Sequence, residues 1–150
     1  MSASAPDVTA HRVAFRRLGA ALGGAAGPAA AFASDWSHLG ARGWHIWVLT
    51  TLVGMLLGAM TYGVFVTPHE RIERPSLGFA GIFSASTGML AGAFAAFPIG
   101  AVVGAPAGLV AGTLGAWVWR HTNHLGEWTR PAVVFLVAAS VGLLVAMGLT

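Results

Sequence analysis

The stretch that decides the fold runs from Ser76 to Trp119: SLGFAGIFSASTGMLAGAFAAFPIGAVVGAPAGLVAGTLGAWVW. It holds 44 residues and no Asp, Glu, Lys, Arg or His. As one straight helix it would measure roughly 66 Å, about twice a bilayer core of about 30 Å. The segment therefore has to double back once. Phe97-Pro98-Ile99-Gly100 is the best break. Proline ends the helix before it and suits the first turn of the helix after it. The other candidate, Gly104-Ala105-Pro106, would leave only 13 residues for the second span. Spans near 78–97 and 99–119 follow, joined as a tight hairpin over residues 78–119.

Outward from the hairpin, polar segments alternate with apolar ones. Residues 68–75 are charged, and upstream of them 46–67 form the clearest span, 22 residues long. That length covers about 33 Å, enough to cross the hydrocarbon core. Downstream, 120–130 are polar and 131–149 form the last span, with Pro131 in its first turn. The whole chain of 150 residues is 56% apolar and 9% charged. An average soluble domain carries about 25% charged residues, so this chain could not cover its surface in water. Disorder is excluded as well, because it needs low hydrophobicity and high charge. The expected class is an all-α integral membrane protein with a lipid bilayer as its solvent.

Composition also removes several chemistries. There is no cysteine, which excludes disulfides, thiolate metal sites and a cysteine nucleophile. There is no lysine, which excludes a Gly-x-x-x-x-Gly-Lys phosphate loop. The net charge of +3 rests on eight arginines scattered at the ends of apolar runs. A nucleic-acid face needs clustered cations that track phosphates, so no nucleic-acid partner is expected. All-arginine basicity with 21 glycines points to a GC-rich bacterial gene, and hence to the bacterial inner membrane.

Residues 18–34 are the difficult segment. They are uncharged but mostly Ala and Gly, with only Leu18, Leu22 and Phe32 strongly apolar. Those three contribute roughly −1 to −2 kcal/mol on the insertion scale, against about −3 to −6 kcal/mol for the ten such residues of 46–67. The segment also has the layout of a secretory signal peptide, with Ala31-Phe32-Ala33 as a small-x-small cleavage site. Arginine counting favours a segment that crosses, and cleavage would leave the remaining spans in the same orientation. If 18–34 crosses, Arg12, Arg16, Arg17, Arg71, Arg74, Arg120 and Arg130 share one side and only Arg42 is opposite. If it does not, the split is four against four. The strong bias is what a membrane protein shows, and it puts residues 1–17 and the loops 68–77 and 120–130 in the cytoplasm. Tryptophans agree: Trp36, Trp44 and Trp47 mark one interface and Trp117, Trp119 and Trp128 the other.

Helices in lipid associate through close packing of small residues. Gly100, Gly104, Gly108 and Gly112 recur every four residues and place a smooth stripe on one helix face. Gly54 and Gly58 repeat the pattern in 46–67, and Gly88 and Gly92 in 78–97. Two readings are open for these eight glycines: packing within the bundle, or a docking face for a partner protein or a second copy. A hairpin of small-residue helices resembles the ring-forming proteolipid of rotary ATPases in shape. That family carries its ion on a mid-membrane carboxylate, and no Asp or Glu lies within any predicted span here.

Candidate chemistry is sparse. The four clear spans lack ionisable residues, which argues against a proton-coupled transporter. Ser84, Ser86 and Thr87 are the dense hydroxyl cluster that a pore of an oligomer would use. His69, Glu70 and Glu73 lie in one loop, and His121, His124 and Glu127 in the other. The hairpin puts both loops on one side, so these imidazoles and carboxylates could converge on a metal ion. The competing reading is an interfacial belt in which Arg71, Arg74, Arg120 and Arg130 neutralise Glu70, Glu73 and Glu127. No nucleophile-elbow or triad context is present, so no enzyme is expected. No particular cofactor is indicated. The expected role is a non-catalytic accessory subunit of a larger membrane complex, docking through its small-residue faces. A small homo-oligomeric channel or transporter for a metal ion or small solute is the alternative.

Overall fold

A computed structural model describes residues 8–37, 43–65 and 71–150. It is all-helical over them: α1 (Val8–Ser37), α2 (Trp44–Phe65), α3 (Leu77–Ala96), α4 (Ile99–His121) and α5 (Thr129–Leu149). Helices α2 to α5 are each long and apolar enough to cross a membrane. The Ala- and Gly-rich α1 is the longest at 30 residues and starts at Val8, well ahead of the predicted Leu18 boundary.

The helix ends follow local chemistry. Ser76 caps α3: its Oγ accepts the Phe79 N–H at 3.2 Å, which satisfies a first-turn donor. α3 stops at Ala96 and Pro98 caps α4, so the chain reverses where the proline predicted it. Gly43 opens α2 with φ +108°, a conformation that side chains rarely tolerate. Pro131 sits in the first turn of α5, where its missing N–H is harmless.

α1 is the centre of the bundle and touches each of the other four helices. Around it run α2, α3, α4 and α5, in that order. α3 and α4 form the tight hairpin, and α5 closes on α4. The ring is open on one side, because no Cα of α5 comes within 8 Å of one in α2.

Packing inverts the size order of a water-soluble core. Ala25, Ala26, Ala29, Ala30, Ala107, Ala111, Ala138 and Ala146 are fully buried. Leu52, Leu56, Met60, Ile82, Phe94, Val102, Leu136 and Leu144 are each more than half exposed. Small residues let backbones approach, while large apolar ones face outward, as a lipid solvent permits. The exception is the end of the bundle near the polar loops. There Phe15, Leu18, Leu22, Tyr62, Trp119 and Val134 build a core of larger side chains. Tyr62 meets Phe79 and Phe83 edge-on, with ring centroids 5.4 and 4.9 Å apart.

Candidate functional site

The glycine stripes are the strongest sequence motif, and the structure places all eight of those glycines inside the bundle. In the hairpin, Gly88 faces Gly104 and Gly92 faces Gly100; Gly108 faces Ser84, and Gly112 faces Ala80. These pairs share one antiparallel register. A Cβ at any of these glycines would fall on a carbonyl oxygen of the opposite helix. Gly54 and Gly58 are matched by Gly23 and Gly19 of α1 in the same way. The Gly19, Gly23, Gly27 series was not singled out from the sequence. Its signal was present as the same four-residue spacing. Of the two readings open for the stripes, internal packing accounts for every one of these contacts, so the glycines themselves offer no free face.

The hydroxyl cluster does not face one lumen. Ser84 is fully buried and its Oγ–H donates to the Leu22 carbonyl of α1 at 3.1 Å. Ser86 is exposed on the outer face and bonds back to the Ile82 carbonyl at 3.0 Å. Thr87 is buried and bonds to the Phe83 carbonyl at 2.8 Å. Two other hydroxyls bridge helices as Ser84 does. Ser34 donates to Ala95 O at 3.2 Å, and Thr50 to Gly27 O at 3.1 Å. These bonds tie α1 to α3 and α2.

The loop residues are held differently from the metal reading. His69 and Glu70 lie outside the described residues. α4 ends at His121, and a turn closed by the Leu125 N–H on Thr122 O follows, so His121 and His124 do not share a helix face. The His121 Nδ1–H donates to Trp117 O at 2.8 Å, and its ring lies 4.3 Å from that of Trp117. Glu127 is paired with Arg17 at 2.8 Å, and the Arg17 guanidinium also lies 4.4 Å over the Trp128 ring. Among the described residues, no group of three or more potential ligands gathers.

Arg120 and Arg130 have other partners than the carboxylates that the belt reading assigned them. Arg120 donates twice to the Pro75 carbonyl, at 3.0 and 2.6 Å, rather than to a carboxylate. Arg130 donates to Trp119 O at 2.7 and 3.2 Å and stacks 3.9 Å over the Trp119 ring. The Trp119 indole N–H in turn donates to Ile72 O at 2.8 Å. Arg130 thus satisfies a free carbonyl at the C-terminal end of α4, while Arg120 holds a loop carbonyl ahead of α3. Together they clasp the 71–75 and 122–128 loops to the ends of α1, α4 and α5.

The remaining feature is the open side of α1. Between Leu18 and Ser34, only Ala20, Pro28 and Phe32 keep partial exposure. With the half-buried Arg17 and Asp35 they form one stripe at helical spacing. A groove of about 320 Å³ lies over its lower half, walled by Met55 of α2 and by Pro131 and Phe135 of α5. Met55 and Phe135 close over Gly24. At the far end, Asp35 Oδ2 accepts the Trp47 Nε1–H at 2.8 Å. Asp35 Oδ1 is buried with no hydrogen-bond partner among the described residues. Comparison with known proteins returned no matching family model, curated protein or solved structure.

Proposed function

We propose that this chain is a five-span protein of the bacterial inner membrane and serves as a non-catalytic accessory subunit of a larger membrane complex. α1 crosses as the fifth span. Its Gly19, Gly23 and Gly27 lie against Gly58, Gly54 and Thr51 of α2, so the two helices share one depth over the middle of α2. Their junction is too close to admit lipid. That position also supports retention of 18–34 over removal as a signal peptide. With α1 crossing, the seven-to-one arginine split assigns the N-terminal end and both polar loops to the cytoplasm.

The observation that carries the subunit role is the stripe of α1 left partly exposed between α2 and α5, on either side of Gly24. The other sides of α1 are sealed by neighbours, and the stripe ends at a buried carboxylate oxygen that lacks a donor among the described residues. A partner's transmembrane helix laid along Ala20, Pro28 and Phe32 completes the ring and can supply that donor. The docking face is thus the α2–α5 slot and not the glycine stripes. The interior hydroxyls are bonded to backbone carbonyls, which supports a structural role for them.

The chain has no cysteine, so single cysteines give a clean test. Phe32→Cys is expected to cross-link in native membranes to one protein of different mass, while Leu144→Cys on the outer face gives no such product. A product of twice the chain's mass would overturn the subunit reading in favour of a homo-oligomer. Equal cross-linking from both positions would show that the slot is not a docking face.

A further inference from the structure

We infer that the groove between the start of α1 and the end of α2 is a binding site for one anionic phospholipid of the adjacent leaflet. Arg12 and Arg16 stand one turn apart on the same face of α1, both exposed. Neither guanidinium has an acidic or carbonyl partner among the described residues. This sets them apart from Arg17, Arg120 and Arg130, which are all engaged. Beside them lies a groove of about 300 Å³, whose far wall is Met60, Gly63 and Val64 of α2, with Phe15 at its base. Met60 and Val64 are among the most exposed apolar side chains of the molecule. The site therefore presents two cations at the level where a spanning helix ends and an apolar channel leading from them along α2. That is the pattern of an amphiphile with a phosphate head and an acyl tail. Guanidinium forks match phosphate oxygens in pairs, and basic pockets between membrane helices suit anionic head groups. Gly63 keeps the channel open: a Cβ there would meet only Phe15 Cβ, at 3.8 Å.

The inference rests on the membrane placement proposed above, but not on the partner subunit. Its test uses the full-length protein purified in mild detergent and reconstituted in phosphatidylcholine vesicles. Native mass spectrometry then compares binding of phosphatidylglycerol and phosphatidylcholine with identical chains. The wild type should prefer phosphatidylglycerol on the order of 30-fold, from two interfacial arginines. Arg12→Gln with Arg16→Gln should abolish the preference, and Gly63→Leu should reduce binding with both arginines intact. Arg71→Gln with Arg74→Gln should retain it, since those exposed arginines lie outside the groove. Equal wild-type binding of the two lipids would overturn the site, as would loss in the Arg71/Arg74 variant or full binding by Gly63→Leu. Displacement of the lipid by millimolar inorganic phosphate would reassign it to a free anion. Failure to enter the vesicles at all would instead contradict the membrane placement.

Discussion

Two glycines of the hairpin, Gly104 of α4 and Gly78 of α3, show how much a single methyl group weighs at different sites. A Cβ at Gly104 would fall on the Gly88 carbonyl, whereas one at Gly78 meets nothing within 4 Å. Backbone against backbone cannot give way by a rotamer change. Gly104→Ala should therefore destabilise the fold by about 1–3 kcal/mol, read as thermal unfolding in detergent. Gly78→Ala should be neutral or slightly stabilising, because alanine is the better helix former. Equal effects at the two positions would contradict the close hairpin contact. Ser84→Ala removes one interhelical hydrogen bond, worth only about 0.6 kcal/mol in such bundles. Close approach thus outweighs hydroxyl bonding in holding the helices. Trp119 is the largest fully buried side chain, with both its ring and its N–H engaged. Trp119→Ala should cost about 3–5 kcal/mol and loosen the 71–75 loop, seen as faster proteolysis there.

At the scale of the element, α1 and α2 present opposite cases of what sequence reveals. The reversal at Pro98, the glycine spacing in α3 and α4, and the spans of α2 and α5 were all legible. Each is a local pattern set by one helix and its solvent. The central place of α1 was not legible, for a physical reason. A helix with neighbours on most sides needs small residues where they approach, and this lowers its hydropathy until it reads as a marginal span. His121 and His124 do not share a helix face because α4 stops at His121, three residues short of His124, an end that spacing alone does not fix. The partner of Glu127 is Arg17, 110 residues away, and no local pattern announces such a pair. His69 and Glu70 remain outside the described residues. The weakness of α1 as an isolated span is itself testable. Fused alone to a membrane-insertion reporter, 18–34 should insert poorly, with only about −1 to −2 kcal/mol behind it. Fused with α2 it should insert efficiently, because the glycine faces pair. Efficient insertion of 18–34 alone would show that its composition reflects something other than its neighbours.

For the whole molecule, the size order is the decisive property: alanine and glycine inside, leucine, valine and phenylalanine outside. Water would not tolerate that surface, and a lipid solvent does not require the large side chains to be hidden. The two ends of the bundle differ. One is closed by aromatic rings and clasped by arginines, and the other by small residues around Ala29, Ala33 and Ala107. The open α2–α5 side and the Arg12–Arg16 groove, whose guanidiniums have no partner among the described residues, are two places where this surface departs from a plain lipid-facing wall. The first is proposed for a protein partner and the second for a lipid.

The central claim is that α1 crosses the membrane as the core of a five-span bundle, and sidedness tests it most directly. Single cysteines at His11, Ser37, Asn123 and Thr150 can be labelled with a membrane-impermeant thiol reagent in intact cells and in inverted vesicles. His11→Cys and Asn123→Cys should label only in inverted vesicles, and Ser37→Cys and Thr150→Cys in intact cells. Labelling of His11→Cys and Ser37→Cys from the same side would contradict it.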